Sequence, residues 1–339
     1  MRATSTTADP LRGRVTVVTA AAGYGKTTAV RGWLRGRPAR WLHATDVPPE
    51  DPIAAGGDSV VVVDDLHLGP AEPPAARLTG AARLVLVTRR PLSTMDLRRY
   101  GEPPALIGPA RLALSPERTA QLLRRRYDLA PADLAARLHA LTAGWPALVH
   151  LAGGILTGDP ALARRPARAG APDPLLDALA APGTPLFDYV AAEILDGLPP
   201  ETGRLFRDVA ELGLMGTDLA DALGHERADA GIALLARLGL LDPPAPGHDW
   251  YRPVPAVAAV ARRAPGAAVR RDAVVATAIE WHAGHGRPAD ALRLAVAAGD
   301  DARCAGLLRE HGAELLAGGH APAVVSGVRA LPARFRDQH

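Results

Sequence analysis

The sequence predicts a parallel α/β domain with helices on both faces of its sheet, followed by a largely helical second half, and three observations predict it. Residues 14–110 alternate apolar, β-rich runs with helical stretches, the pattern of a sheet buried on both faces. Lysine and arginine together number 39, yet Lys26 is the single lysine, and it falls in Ala20-Ala21-Ala22-Gly23-Tyr24-Gly25-Lys26-Thr27-Thr28, which reads as a phosphate-binding loop. Further on, the valine run Val60-Val61-Val62-Val63 delivers Asp64 and Asp65 to the end of a strand.

The first strand is Val15-Thr16-Val17-Val18-Thr19, and the loop after it opens a helix. An ammonium is a compact point charge that sits between two phosphates, where a planar guanidinium fork does not fit. That gives a physical reason for one lysine to persist in a chain that uses arginine everywhere else and contains no asparagine. The glycines permit close backbone approach, and converging amides with roughly +0.5 charge at the helix N-terminus favour a polyphosphate. Ala22, Gly23, Tyr24, Gly25, Lys26, Thr27 and Thr28 are therefore the candidate nucleotide-binding loop, with Thr27 a candidate magnesium ligand; Ala20 replaces the motif's usual first glycine.

Arg40-Trp41-Leu42-His43 is a shorter strand candidate, and Ser59 to Asp65 the clearest second strand. Its acids emerge at a C-terminal strand end, where open α/β sheets bind ligands. Asp64 can hold magnesium through water, and Asp65 can orient or activate an attacking water. Two solvated aspartates in a turn are the alternative, and the phosphate loop upstream favours the chemical reading. Leu84-Val85-Leu86-Val87-Thr88 ends in Arg89-Arg90. Beside the Asp64 strand, Arg89 would reach a γ-phosphate, although a plain surface arginine accounts for it equally well. Ala105-Leu106-Ile107 is the last short strand candidate.

From Ser115 onward helices dominate, beginning with a serine N-cap and Pro116 in the first turn. Residues 158–184, rich in Ala, Pro, Gly and Arg, read as a linker or loose loop. Amphipathic helices follow at Leu186 to Leu195 and Glu201 to Leu212, and then a compact region ending in Leu234 to Leu241 and Trp250-Tyr251-Arg252, where a helix, a glycine stop and a short strand pair would suit a winged helix. Ala276 to His282, Pro288 to Ala298 and Ala302 to Leu316 resemble the start of a helical-repeat array. The expected domains are a nucleotide-binding domain at 1–112, a helical domain at 113–157, a linker at 158–184, a winged-helix-like domain at 185–265 and a helical arm at 266–339.

Composition narrows the function classes. A net charge of +3 with interspersed signs does not make a nucleic-acid surface, and in residues 215–262 Arg227, Arg237 and Arg252 are scattered among Asp218, Asp221, Asp229 and Asp242. No apolar run approaches the roughly 18 residues of a membrane span and no signal-peptide pattern is present, so a cytoplasmic protein without membrane partners is expected. Cys304, the lone cysteine, reads as a packed thiol. His67, His139 and His150 lack metal spacing, so satisfied surface or core roles are expected for them.

In their order along the chain, several segments resemble the signal-transduction ATPases with numerous domains (STAND), specifically the MalT-like branch with the large LuxR-type (LAL) regulators. They are Ala22 to Thr28, Val63-Asp64-Asp65-Leu66-His67, Thr88-Arg89, Thr142-Ala143-Gly144-Trp145-Pro146, Phe187 to Leu195, Trp250-Tyr251-Arg252 and Trp281 to Gly286. The resemblance implies an α/β P-loop NTPase followed by a helical domain, a winged helix closing over ADP and a TPR-like arm that senses an inducer or protein partner. It implies ATP/ADP and Mg2+ as cofactors, Pro146 packed on adenine, ATP-dependent self-association, and DNA contact only through a separate module not in this sequence. By the same comparison the chain is a fragment or a shortened relative, with little sequence before its first strand and little between Leu42 and the Asp64 strand. Val254 stands where the family often has a histidine facing the ADP β-phosphate, which implies a weaker ADP lock. A nucleotide-binding scaffold that no longer hydrolyses, engaging a partner through its helical arm, is the competing function.

Overall fold

The computed structural model describes residues 10–332 apart from 12, 47–59, 70–82, 93–102, 131–132, 167–172, 243–248 and 265–267. Ser59, the short stretch that precedes it and the middle of the expected linker lie outside the described residues. The described chain forms two compact units, one comprising residues 1–197, 233–242 and 254–257, the other residues 198–232, 243–253 and 258–339.

The first unit is an α/β P-loop fold. Its strands are β1 (Val15–Thr19), β2 (Ala39–His43), β3 (Val60–Asp64), β4 (Arg83–Thr88) and β5 (Ala105–Ile107). All pair in parallel, in the order β2-β3-β4-β1-β5. β-Branched side chains suit such strands because they pack well on a pleat covered on both faces. Val15, Val17, Val61, Val63, Leu84 and Leu86 build one hydrophobic cluster, while Val18, Val62 and Val85 are buried as well. Helix α1 (Lys26–Leu34) follows β1. Because β1 and β3 flank β4, the phosphate loop and the two acids emerge along one edge of the sheet.

Further helices of this unit span Pro116–Tyr127, Leu134–Thr142 and Pro146–Gly158. Ser115 caps the first as its sequence suggests, its side chain accepting from the Arg118 amide. Composition misled at residues 158–184. In place of a loose linker, Pro160–Ala163 and Pro174–Leu179 are helical, with Leu162, Leu175 and Leu179 buried. Asp159 and Asp173 cap these helices, and Asp173 also takes a bidentate ion pair from Arg137, whose Nε lies 2.8 Å from Oδ2. Short helices that begin Asp-Pro are easily mistaken for turns, because Asp and Pro serve both. The expected helix Leu186 to Leu195 is present as Pro185–Tyr189 running into a π-helical turn, Val190–Leu195.

The second unit is helical. Pro200–Leu212 buries Leu205, Phe206, Val209 and Leu212, and packs on Ala268–Gly284. Pro288–Ala298, Asp301–Ala317 and Ala321–Ala330 then stack in sequence order, as an array of short helices does. Met215 and Tyr251 form an antiparallel bridge. Cys304 is buried, its thiol 3.7 Å from the Gly327 carbonyl. No described helix is long and apolar enough to cross a membrane.

Candidate functional site: a phosphate loop and a paired-acid strand end

The loop between β1 and α1 has the backbone its glycines dictate. Gly23 and Gly25 take φ of +75° and +72°, the left-handed region that costs a side-chain-bearing residue roughly 1–2 kcal/mol. Gly25 directly precedes the first turn of α1. A Cβ on Gly23 would lie 2.3 Å from the Tyr189 hydroxyl, so sterics as well as dihedral angle require glycine there.

Lys26 is only 8% exposed, and its Nζ donates to the carbonyls of Ala20 and Ala21 at 2.9 Å each. Burial lowers its pKa to about 8, with Arg89 reinforcing the shift and Asp65 and Asp64 opposing it. The side chain is thus folded along the loop rather than out into solvent. Thr27 donates its hydroxyl hydrogen to Asp64 Oδ2 at 2.9 Å, and Asp64 Oδ1 accepts the Asp65 amide at the same distance. A hydroxyl and a carboxylate brought together in this way are the hard oxygen donors that suit Mg2+.

Asp65 lies in the left-handed region, φ +51°, which glycine favours and asparagine and aspartate enter more readily than other residues. Its carboxylate is about one-third exposed and faces two imidazoles: His43 Nε2 is 3.3 Å from Oδ2, and His67 Nδ1 is 3.9 Å from Oδ1. Burial first, and then Arg89, lowers the pKa of His67. Arg89 leaves the end of β4 and pairs with Glu193 on the π-helical turn at 3.3 Å, with both side chains about half exposed.

Beside the loop lies an open cleft of about 720 Å³, lined by Gly23, Tyr24, Gly25 and Thr28 on one side and by Pro146 with Ala147 on another. Arg118, Gln121, Leu122 and Arg125 of the helix Pro116–Tyr127 line the same cleft, together with Leu112 and Leu114. His150 lines it too and lies within hydrogen-bond distance of the Tyr127 hydroxyl, at 2.9 Å. Pro146 is brought there by a turn in which Gly144 has φ +67° and would place a Cβ 2.2 Å from the Leu114 carbonyl.

The structure therefore gathers Ala22 through Thr28, Asp64, Asp65 and Pro146 along one edge of the sheet, while Arg89 turns to Glu193. Sequence reasoning missed the bracing of the loop. Tyr24 stacks on Trp145 at 4.3 Å and donates to the Gly239 carbonyl, the Trp145 indole donates to the Ala22 carbonyl at 3.0 Å, and the Ala147 amide donates to Gly23. Ala21 N donates to the Leu238 carbonyl. Val254 is buried, with its amide donating to Leu240. It also missed His43 and His67 around Asp65. The signal for His67 was its place two residues after the acid in Asp64-Asp65-Leu66-His67. His43 had none, because strand register alone brings it level with Asp64.

The sequence matches no protein-family model and no curated protein. Among solved structures, the chain is similar to a Walker-type ATPase of Pyrococcus abyssi at 14% identity and TM-score 0.47, covering 74% of this chain and 91% of that one. It is also similar to a signal transduction ATPase with numerous domains with a tetratricopeptide repeat sensor, from Pyrococcus horikoshii, at 13% identity and TM-score 0.34; this covers 95% of this chain but only 50% of the relative. A third is a Thermotoga maritima RuvB mutant, at 15% identity and TM-score 0.34, covering 70% of this chain and 84% of that one. These likenesses are distant, and the functional reading rests on the residues of the site.

Proposed function

We propose that this chain is an ATP/ADP-switched signal-transduction ATPase of the STAND kind, cytoplasmic, and the regulatory part of a LuxR-type transcriptional regulator with slow hydrolysis. The observation that carries the reading is the convergence of Lys26, Thr27 and Asp64 at the ends of β1 and β3, beside a cleft lined by Pro146. Lys26 and the amides from Ala22 to Thr28 would hold the phosphates, the Thr27 hydroxyl and Asp64 would hold Mg2+, and Pro146 would pack on the base. Mg2+, when bound, neutralises phosphate charge. Asp65 orients the attacking water, and Arg89, released from Glu193, stabilises charge at the γ-phosphate. The helical arm engages an inducer or protein partner, ATP favours self-association, and DNA contact falls to a separate module.

The Arg89–Glu193 pair favours a second reading, a nucleotide-binding scaffold that does not hydrolyse, because it engages the candidate arginine in an ion pair. Identifying the nucleotide that copurifies with the protein, then measuring MgATP binding by calorimetry and single-turnover hydrolysis, separates the readings. Binding with turnover supports the switch, binding without turnover supports the scaffold, and no binding overturns both.

A further inference from the structure

We propose that His43, at the end of β2, is a positioning residue that holds Asp65 in its working orientation, so that Thr45, His43 and Asp65 act as one hydrogen-bonded unit beside the phosphate loop. The inference rests on the reading of Asp65 as the water-orienting carboxylate.

Asp65 needs an external hold. Its backbone lies in the left-handed region, which aspartate enters more readily than most residues with a side chain. Its own amide is tied to Asp64 Oδ1 at 2.9 Å, which fixes the main chain but leaves χ1 and χ2 free. About one-third exposed, the carboxylate would otherwise sample several rotamers. Only one described group lies within hydrogen-bond distance of its oxygens from another strand, His43 Nε2 at 3.3 Å. The second imidazole, His67, is at 3.9 Å, too far for a hydrogen bond, and its buried Nδ1 has no partner. His67 limits the room on one side of the carboxylate, whereas His43 bonds it on the other.

The far ring nitrogen of His43 decides which proton does this. Nδ1 is 2.7 Å from Thr45 Oγ1, and the same hydroxyl lies 3.1 Å from Asp46 Oδ1. A hydroxyl has one hydrogen to give. In neutral His43 a Thr45 hydrogen given to Nδ1 sets the Nε2–H tautomer, which donates to Asp65, whereas a Thr45 hydrogen given to Asp46 leaves the proton on Nδ1 and no donor at Nε2. In the imidazolium both nitrogens donate and Thr45 keeps Asp46. The positioning contact is Nε2–H donating to Asp65 Oδ2, with Thr45 fixing the ring plane. Parallel pairing of β2 with β3 sets His43 level with Asp64, which places the imidazole beside the next residue.

A double-mutant cycle tests the proposal, with ATP affinity and single-turnover hydrolysis measured separately. His43→Ala should slow hydrolysis about tenfold, the effect of one hydrogen bond to a charged group, with ATP affinity within about twofold. His43→Gln, which retains an N–H donor of similar reach, should recover most of the rate. In an Asp65→Asn background, His43→Ala should add nothing further, because the carboxylate it positions is gone. Parental hydrolysis by His43→Ala, or an equal loss in the presence and absence of Asp65, overturns the proposal. A parental protein that binds ATP without hydrolysing it instead overturns the reading of Asp65 on which the proposal rests, and a loss of affinity matching the loss of rate assigns His43 to binding and overturns positioning.

Discussion

Thr27 and Asp64, 37 residues apart in sequence, meet through a hydrogen bond of 2.9 Å from the threonine hydroxyl to the aspartate Oδ2. The contact joins the first turn of α1 to the end of β3 and so aligns the phosphate loop with the acid strand. Removing the hydroxyl should therefore weaken Mg2+ binding more than nucleotide binding itself. Thr27→Val, nearly isosteric, should raise the Mg2+ concentration needed for half-maximal ATP binding about tenfold, at a cost of roughly 1.4 kcal/mol. Calorimetric titrations across a Mg2+ series check it; an unchanged requirement would remove Thr27 from the metal shell.

Lys26 should set the pH dependence of nucleotide binding. With its pKa lowered to about 8 by burial and by Arg89, the ammonium begins to lose its proton at mildly alkaline pH, and a bound polyphosphate favours the charged form. Affinity should fall as pH rises through about 8, with proton uptake on binding. For stability the sign is opposite: between about 8 and 10.5 the unfolded chain holds a proton that the folded protein has shed, so stability rises with pH across that window. Lys26→Ala should abolish the binding trend and lower ATP affinity more than 100-fold, on the order of 3 kcal/mol. Affinity unchanged by the substitution would end the phosphate-loop assignment.

The loop glycines should differ in cost. Alanine at Gly25 meets nothing within 4 Å, so it carries only the dihedral strain, about 1 kcal/mol. Alanine at Gly23 adds collisions with the Tyr189 hydroxyl at 2.3 Å and Ala147 Cβ at 2.5 Å. Gly23→Ala should cost about 3 kcal/mol or more. Urea unfolding of the two variants compares them directly, and equal costs would mean that the loop does not lie against Tyr189.

What the sequence made legible follows from how each feature is encoded. The strands and the phosphate loop were readable because valine runs, glycines and one lysine are local signals, and Asp64 with Asp65 came with the strand that carries them. Features made by register or by distant packing left no local trace. Tyr24 stacking on Trp145 joins residues 121 positions apart, and His43 reaches Asp65 only through the pairing of β2 with β3. Arg89 shows the limit from the other side: its strand end was readable, its engagement with Glu193 was not. The ordered helices within 158–184 were hidden because their capping aspartates and prolines are also the residues of turns.

The second unit carries a buried histidine that should make it acid-labile. His282 is 1% exposed, and neither ring nitrogen has a hydrogen-bond partner. It packs against the rings of Trp250 and Trp281, with centroids 5.4 and 5.3 Å away. Burial lowers its pKa to about 4; Asp290 opposes the shift, while Arg287, Arg293 and His285 add to it. Between pH 6.5 and about 4 the unfolded chain binds a proton that the folded unit refuses, so stability falls as pH drops through that window. The full penalty, about 3 kcal/mol, is reached only near the lower end. His282→Leu keeps an apolar side chain among the tryptophans and removes the titrating group, so its stability relative to the parent should rise steadily from pH 7 to pH 4.5. Urea midpoints followed by tryptophan fluorescence at several pH values measure that difference, and one that stays constant with pH would show that His282 takes up its proton without unfolding the unit.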